Sequence, residues 1–190
     1  YYCNLKCPFC PRVVDFGERK EKHMATDVWP LIVAEIKKHK MPSILMDHEA
    51  ESLMNKNFFN MLADVKNAGV HDIFLHTNAN ILTRKISEKL IDGGITKINF
   101  SIDAATPETY AKRRVGGNFE RVVRNVSEFL QLKLEKKAKH IRVRISFVAA
   151  EENNHERESF YKFWSKKEGV NLITFQECID FGVFNEHDED

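Results

Sequence analysis

The residues best suited to carry out chemistry lie at the start of the chain, where three of its four cysteines fall within eight residues. The stretch Cys-Asn-Leu-Lys-Cys-Pro-Phe-Cys puts Cys3, Cys7 and Cys10 in one short loop, with the aromatic Phe9 before the last of them. Thiolates on short spacers are typical ligands of iron–sulfur clusters and of zinc. Three of them leave one coordination position open, which is typical of a metal that takes part in chemistry. We therefore expect a metal centre in this loop.

The main alternative is a structural zinc site whose fourth ligand comes from elsewhere in the chain. His23 lies thirteen residues beyond the loop, in a charged stretch, and Cys178 would have to fold back from the far end. The three-cysteine spacing with its aromatic residue favours the iron–sulfur interpretation. Cys178 is expected to be a small buried apolar residue, with a ligand role in an auxiliary cluster as the alternative.

Composition and charge narrow the classes of function. The 190 residues are 43% apolar and 30% charged, which is typical of a soluble globular protein, and we expect one domain over residues 1–190 with a frayed acidic end at 186–190. With 29 basic and 28 acidic residues, no basic surface predicts binding to nucleic acid or to a membrane. No apolar run approaches the roughly 20 residues that cross a bilayer. Clustered thiols favour a reducing compartment, so a cytoplasmic protein is expected.

Around these residues, helical periodicity and short apolar runs alternate five times from residue 26 onward. The predicted strands are Ser43–Met46, Ile73–His76, Lys97–Asp103, Ile141–Ala149 and Leu172–Gln176. Each follows a predicted helix, and Thr83, Thr106 and Asn118 stand where helix-capping residues are expected. This alternation predicts an α/β fold whose parallel strands are joined by right-handed crossovers, either open or closed into a barrel.

One face of the predicted strands is recurrently polar. Because side chains alternate along a strand, Asn99, Ser101 and Asp103 share a face. The corresponding face of other strands carries Phe74, His76 and Asn78, then Arg142, Arg144 and Ser146, and in the last strand Thr174 and Gln176. A parallel sheet covered on both faces would be almost wholly apolar. The pattern predicts a barrel with a wet, ligand-binding lumen; the alternative is that some of these residues are strand ends facing solvent.

Within that polar face, His76, Arg144 and Gln176 are candidates for contact with a substrate. For His76 the alternative is a histidine satisfied by its neighbours and without a chemical role. No residue of the chain is assigned as a catalytic acid or base from the sequence.

The loop Cys-Asn-Leu-Lys-Cys-Pro-Phe-Cys resembles the C-x3-C-x-aromatic-C signature of the radical S-adenosylmethionine (radical SAM) superfamily, and the similarity continues along the chain. The chain is most similar to the subfamily whose barrel is often followed by a cysteine-rich SPASM or twitch domain. The resemblance implies a partial (β/α)6 TIM-like barrel of parallel strands. The signature loop follows the first strand in this family, and here only Tyr1 and Tyr2 precede it. We therefore expect that strand to be missing or cut short.

The resemblance also implies a role for each matching residue. Cys3, Cys7 and Cys10 would hold a [4Fe–4S] cluster whose open iron is chelated by S-adenosylmethionine. The implied cofactor contacts are Phe9 near the adenine, Glu51 at the methionine amino group, Asn78 in the Thr-Asn element, Ser101 and Asp103 near the ribose or methionine carboxylate, and Arg114 at a carboxylate.

The chain departs from the family pattern around the acid at position 51. Ala50 stands where the family has a glycine and Ser52 where it has a proline. Alanine tolerates positive φ poorly, which predicts a different approach of the backbone to the cofactor. Glu49 is the alternative to Glu51, and Arg113 is the alternative to Arg114.

The resemblance implies an enzyme in which a reduced cluster splits S-adenosylmethionine and the resulting 5′-deoxyadenosyl radical abstracts a hydrogen from substrate. Such a radical needs a container that excludes water, which the barrel would provide. A small-molecule or peptide substrate is expected, in peptide or natural-product, cofactor or saccharide modification, with a flavodoxin- or ferredoxin-type electron donor. The alternatives are a zinc- or cluster-binding interaction module and a non-catalytic relic of the same fold.

Overall fold

The computed structural model describes residues 2–11, 24, 27–47 and 50–178. Its strands are β1 (Ser43–Leu45), β2 (Asp72–Thr77), β3 (Lys97–Ser101), β4 (Arg142–Ala149) and β5 (Leu172–Glu177). Its α-helices are α1 (Val28–Lys38), α2 (Phe58–Asn67), α3 (Arg84–Gly93), α4 (Pro107–Arg113), α5 (Phe119–Glu135) and α6 (Arg157–Trp164), with 3-10 turns at Ser52–Met54 and Asn154–Glu156.

The five strands form one parallel sheet in chain order, β1-β2-β3-β4-β5. Every connection passes through a helix, as parallel neighbours require. The predicted α/β fold with parallel strands is therefore confirmed. In the register of the sheet, Leu75 lies beside Ile98, which lies beside Val143.

The helix caps form as their residue types predict. In each cap a side-chain oxygen accepts a hydrogen bond from the backbone N–H group three residues later in the chain. Thr83 accepts from Ile86, Thr106 from Thr109, and Asn118 from Arg121. These bonds satisfy amides that have no partner inside the helix. The caps fix where α3, α4 and α5 begin, and hence the loops between strand ends and helices.

The apolar core lies between one face of the sheet and the helices. Phe100 of β3 meets Phe129 of α5 edge to face, with ring centroids 5.3 Å apart. Phe147 of β4 meets Phe160 of α6 in the same way at 4.9 Å. All four rings are fully buried. Because side chains alternate along a strand, the neighbours of Phe100 and Phe147 point to the opposite face, where the polar residues lie.

The polar alternation on β3 ends earlier than predicted. The strand stops at Ser101, and Asp103 adopts a left-handed conformation with φ of 64°. Asp103 is nevertheless fully buried. Its side chain is therefore aimed by a turn rather than by strand alternation.

The remaining expectations concern a membrane span and residues that the structure does not describe. None of the helices described is long and apolar enough to cross a membrane. The expected frayed end at 186–190, the alternative acid Glu49 and the alternative ligand His23 lie outside the residues described.

Candidate functional site

A cavity of about 360 Å³ opens where the carboxyl ends of β2 to β5 meet the cysteine loop. Of the residues singled out from the sequence, its wall contains Cys3, Cys7, Phe9, Cys10, Ala50, Glu51, His76, Asn78, Ser101, Arg114, Gln176 and Cys178. Cys178 is half-buried at this wall, so the prediction that it is a fully buried apolar residue is wrong. Asp103 and Arg144 lie outside this wall, each one contact behind it. The carboxyl ends of parallel strands are where α/β folds bind ligands.

N–H donors approach two of the loop sulfurs. Arg114 Nη1 lies 3.6 Å from Cys7 Sγ, and Asn78 Nδ2 lies 3.9 Å from Cys3 Sγ. Burial raises the pKa of the Cys7 thiol, although the adjacent Arg114 guanidinium acts in the opposite direction. Donors directed at sulfur favour the thiolate, the form that binds metal.

The cysteine loop is fastened to the segment after α4. The Lys6 amide donates to the Val115 carbonyl at 2.9 Å. Gly116 has φ of +91°, and a Cβ there would stand 3.3 Å from the Asn4 carbonyl oxygen. Glycine at this position therefore allows the close approach of the two backbones.

Glu51 is buried behind the loop with both carboxyl oxygens bonded. Oε1 accepts from the Thr77 hydroxyl and Oε2 from the Asn78 amide, each at 2.8 Å. The Glu51 amide donates to the Tyr2 carbonyl at 3.0 Å. Burial raises the pKa of this carboxyl to about 7, against the lowering effect of those hydrogen bonds. Glu51 belongs to the loop after β1, which ends at Leu45, and not to a strand end.

Arg114 forms a buried ion pair with Asp103. Its Nη2 lies 2.5 Å from Asp103 Oδ2, and Asp103 Oδ1 accepts the Val148 amide at 2.8 Å. Burial by itself would lower the pKa of Arg114, but the Asp103 carboxylate and the Cys7 sulfur outweigh it, so the pKa is raised. Asp103 thus holds the cavity-facing guanidinium of Arg114, and Asp103 does not itself line the cavity.

Arg113, the alternative arginine, lies against the Phe9 ring instead of lining the cavity. Its guanidinium carbon lies 4.0 Å from the centre of the Phe9 ring. Nη1 donates to Glu152 at 2.5 Å, and Nη2 donates to the Val148 carbonyl at 3.4 Å. Arg114 lines the cavity and Arg113 does not, so Arg113 supports the loop from behind.

A chain of hydrogen bonds crosses the polar face, from Asp47 and His76 in the cavity wall to Asn99 and Arg144 behind it. His76, Asn99 and Arg144 are neighbours in register on β2, β3 and β4. Arg144 Nε donates to Asn99 Oδ1 at 2.8 Å, and Arg144 Nη2 lies 3.0 Å from His76 Nε2. Asp47 bonds His76 at the other ring nitrogen, with Oδ2 2.9 Å from Nδ1. Asp47 is not among the residues predicted from the sequence, although its position directly after the first predicted strand is a signal.

A second group missed from the sequence supports Asn78 from behind. Asn80 Nδ2 donates to the Tyr110 hydroxyl at 2.8 Å, and Asn125 Nδ2 donates to the Ala79 carbonyl at 2.7 Å. Ala79 has a positive φ of 57°, a conformation that needs such support. Burial raises the pKa of Tyr110 to about 12. Nothing in the spacing of these residues indicates that they meet.

The donor set at the loop fits an iron–sulfur cluster. In the described part of the chain, no three Cys, His, Asp or Glu side chains form a group suited to a single metal ion. In a [4Fe–4S] cluster each thiolate binds a different iron, so the sulfurs need only border one cavity, as they do here. The N–H donors at Cys3 and Cys7 are of the kind that tune such clusters.

Comparison with known proteins decides the family. The sequence pattern of the Radical SAM superfamily matches residues 1–163, which include the cysteine loop and β1 to β4. The chain belongs to the radical SAM superfamily. The resemblance inferred from the cysteine spacing is thereby confirmed at the level of the superfamily.

Curated relatives of this radical SAM chain include archaeal proteins. A probable GTP 3′,8-cyclase of Methanococcus maripaludis is 32% identical over 135 residues, which cover 70% of this chain and 43% of that protein. A probable GTP 3′,8-cyclase of Saccharolobus islandicus is 26% identical over 195 aligned residues, covering 100% of this chain and 59% of that protein. The chain spans about half the length of the curated relatives it matches.

Solved structures show the same fold. The structure of anSMEcpe with bound AdoMet superposes with a TM-score of 0.73 at 20% identity, over 94% of this chain and 49% of that chain. SuiB of Streptococcus suis bound to S-adenosylmethionine gives 0.72 at 16% identity, over 96% and 40%. The five-stranded parallel sheet with its helices is thus a partial TIM-like barrel, as predicted.

Proposed function

We propose that this radical SAM chain is the core of an enzyme that holds a [4Fe–4S] cluster at Cys3, Cys7 and Cys10 and binds S-adenosylmethionine in the adjoining cavity. The observation that carries the proposal is the shared cavity: its wall contains the three thiols together with the polar side chains of Glu51 and Arg114. A reduced cluster held there would supply one electron for the cleavage of S-adenosylmethionine to methionine and the 5′-deoxyadenosyl radical, which would abstract a substrate hydrogen.

The residues of the wall bind and orient the cofactor. Arg114 is the group for its carboxylate, since a guanidinium can donate two parallel bonds to a carboxylate. Glu51 is the acceptor for its ammonium group, and a nearby positive charge would favour the ionised carboxyl over the protonated one. Ser101 and Asn78 supply a hydroxyl and an amide for the remaining polar atoms. Asp103 acts through Arg114 as a positioning residue.

The substrate is proposed to be a small molecule or a peptide that enters the same cavity. The curated relatives are named as probable GTP 3′,8-cyclases, which favours cofactor biosynthesis. SuiB has been solved with precursor peptide SuiA and anSMEcpe with a Cp18Cys peptide, which keeps peptide modification open. A flavodoxin- or ferredoxin-type protein is the proposed electron donor. The SPASM or twitch association and the cytoplasmic location stay predictions.

Metal analysis of the full-length protein separates this proposal from the interaction module. Anaerobic reconstitution is expected to give iron and sulfide in equal amounts, with a visible absorbance that Cys→Ala changes at Cys3, Cys7 or Cys10 remove. Cys178→Ala removes the fourth thiol of the cavity wall and is expected to keep the iron of this loop, because the proposal needs only the three loop thiols. Zinc with neither iron nor sulfide would establish the interaction module instead.

A further inference from the structure

A second cavity, here called the lysine cavity, lies at the opposite end of the sheet from the cysteine loop. Its volume is about 230 Å³, and it is lined by Lys133, Leu134, Lys137, Lys139 and Asn171. The first two belong to the last turn of α5, the next two to the connection from α5 to β4, and the last directly precedes β5. The lysine cavity is therefore at the amino ends of β4 and β5, whereas the cavity beside the cysteine loop is at the carboxyl ends of the strands.

The lysine cavity carries a positive charge that nearby carboxylates do not balance. Residues 133–142 contain four lysines, one arginine and a single acid, Glu135. The Glu135 carboxylate is bonded to Arg84. Among the described residues, only Lys136 of these five cations has a recorded carboxylate partner, which is Asp92. Three lysine charges thus line one small cavity, and a bound anion would offset their mutual repulsion.

Lys133 is the buried member of the lysine cavity. Only 5% of its surface is exposed, and its Nζ donates to the Gly169 carbonyl at 2.8 Å and to Asn171 Oδ1 at 3.1 Å. Both acceptors are neutral, and Asn171 Oδ1 also accepts the Val143 amide at 2.8 Å. Burial and the charge of Arg142 lower the pKa of Lys133. An ammonium has three hydrogens, and for the third no acceptor is recorded in the part of the chain that the structure describes.

A tight turn after α5 brings the two exposed lysines to the same cavity. The Ala138 amide donates to the Lys133 carbonyl at 2.9 Å, and the Lys139 amide donates to the Lys137 carbonyl at 2.8 Å. Lys137 has a positive φ of 53°, which few residues other than glycine adopt. The backbone of the turn therefore sets the positions from which Lys137 and Lys139 reach the cavity.

We propose that the lysine cavity binds a phosphoryl group, either free phosphate or a phosphate monoester, through the ammonium groups of Lys133, Lys137 and Lys139. A phosphoryl group carries about −1.5 to −2 charges at pH 7 and several acceptor oxygens, so it matches several separate ammonium charges better than a carboxylate does. The cavity is several times larger than the roughly 30 Å³ that a water molecule occupies in the liquid, so a group of five heavy atoms fits. The proposal does not depend on the proposed function, because the lysine cavity shares no residue with the cavity beside the cysteine loop.

Lys133 also has a structural role, since its two bonds fasten the segment before β5 to α5. That role requires neither Lys137 nor Lys139, whose side chains are exposed. Substitution of these two lysines therefore tests anion binding without breaking the bonds of Lys133.

The test is calorimetric titration of the full-length protein at low ionic strength with inorganic phosphate and, separately, with ribose 5-phosphate. The double variant Lys137→Gln/Lys139→Gln is expected to bind the tighter of these two ligands about tenfold more weakly or worse, because it removes two charge-assisted contacts. Lys136→Gln is the matched control: Lys136 lies in the same connection but bonds Asp92 and does not line the cavity. It is expected to bind as the parent protein does.

Lys133→Met is expected to weaken binding by a similar factor, and the double variant decides alone if the methionine variant does not fold. Weaker binding by the double variant, with parental binding by Lys136→Gln, supports the proposal, and the tighter ligand identifies the source of the phosphoryl group. The proposal is overturned if neither ligand binds the parent protein, if the double variant binds as tightly as the parent, or if Lys136→Gln weakens binding equally. A protein that binds phosphate through these lysines but forms no 5′-deoxyadenosine would refute the proposed function alone.

Discussion

The Arg114 guanidinium lies 2.5 Å from the Asp103 carboxylate, where the left-handed turn after β3 meets the segment that follows α4. Asp103 is fully buried, while the other end of the guanidinium reaches Cys7 Sγ and the cavity. The pair therefore links the packing of the sheet to the position of a cavity-facing cation. Its disruption should alter both stability and cofactor binding.

Asp103→Asn is expected to lower the free energy of unfolding by roughly 3 kcal/mol, because it leaves the buried Arg114 charge without its counter-charge. It should also weaken binding of S-adenosylmethionine, since Arg114 is no longer held toward the cavity. Urea denaturation and calorimetric titration measure the two effects. Asp92→Asn removes a carboxylate from the exposed pair with Lys136 and should cost about 1 kcal/mol or less. Equal effects of the two substitutions would show that the Asp103 pair has no special role.

Glu51 should make the cofactor-free protein less stable as the pH rises from about 4.5 to about 7, because its pKa is raised from 4.5 to about 7 in the folded state. In that window the carboxyl is protonated when folded and ionised when unfolded, so the unfolded chain binds fewer protons and stability falls. Below about 4.5 the contribution is constant, and above about 7 the loss is complete. A shift of this size corresponds to roughly 3 kcal/mol.

Glu51→Gln is expected to flatten this part of the pH profile, measured as melting temperature against pH. Glutamine can still accept from the Asn78 amide, so the fold is retained. Glu168→Gln, at an exposed turn, is the control and should leave the profile unchanged. A profile with the same slope in the parent protein and in Glu51→Gln would show that this carboxyl titrates normally.

Arg113→Gln is expected to loosen the cysteine loop, because it removes the cation stacked on Phe9 and the bond to Glu152. The loss of stability should be about 1–3 kcal/mol. The visible absorbance of the reconstituted protein should also decay faster in air. Lys167→Gln removes a comparable cation from the Phe163 ring, which does not line the cavity, and should leave that decay rate unchanged. Equal decay in the two variants would contradict the supporting role of Arg113.

Strand alternation predicted much of this site from the sequence alone. It assigned His76, Asn99, Ser101 and Arg144 to one face, and the register of the sheet brings them together. The alternation holds as long as the backbone is extended, which is why it does not describe Asp103 after the strand ends.

The pairings within the site could not be predicted in the same way. Arg144 meets His76 across 68 residues of sequence and Arg114 meets Cys7 across 107, so each contact depends on the packing of the whole sheet. Asp47 and Glu51 both lie outside the strands and helices, where no periodicity indicates the direction of a side chain. Their partners became evident only from the folded arrangement.

The central claim is that the three loop thiols and the cavity serve one reaction, and its most direct test is the formation of 5′-deoxyadenosine. The full-length protein is reconstituted anaerobically with iron and sulfide, reduced, and mixed with S-adenosylmethionine. We predict 5′-deoxyadenosine from the parent protein and none from Cys3→Ala, Cys7→Ala or Cys10→Ala. A protein with a complete cluster that forms no 5′-deoxyadenosine, or alanine variants that form as much as the parent, would contradict the account.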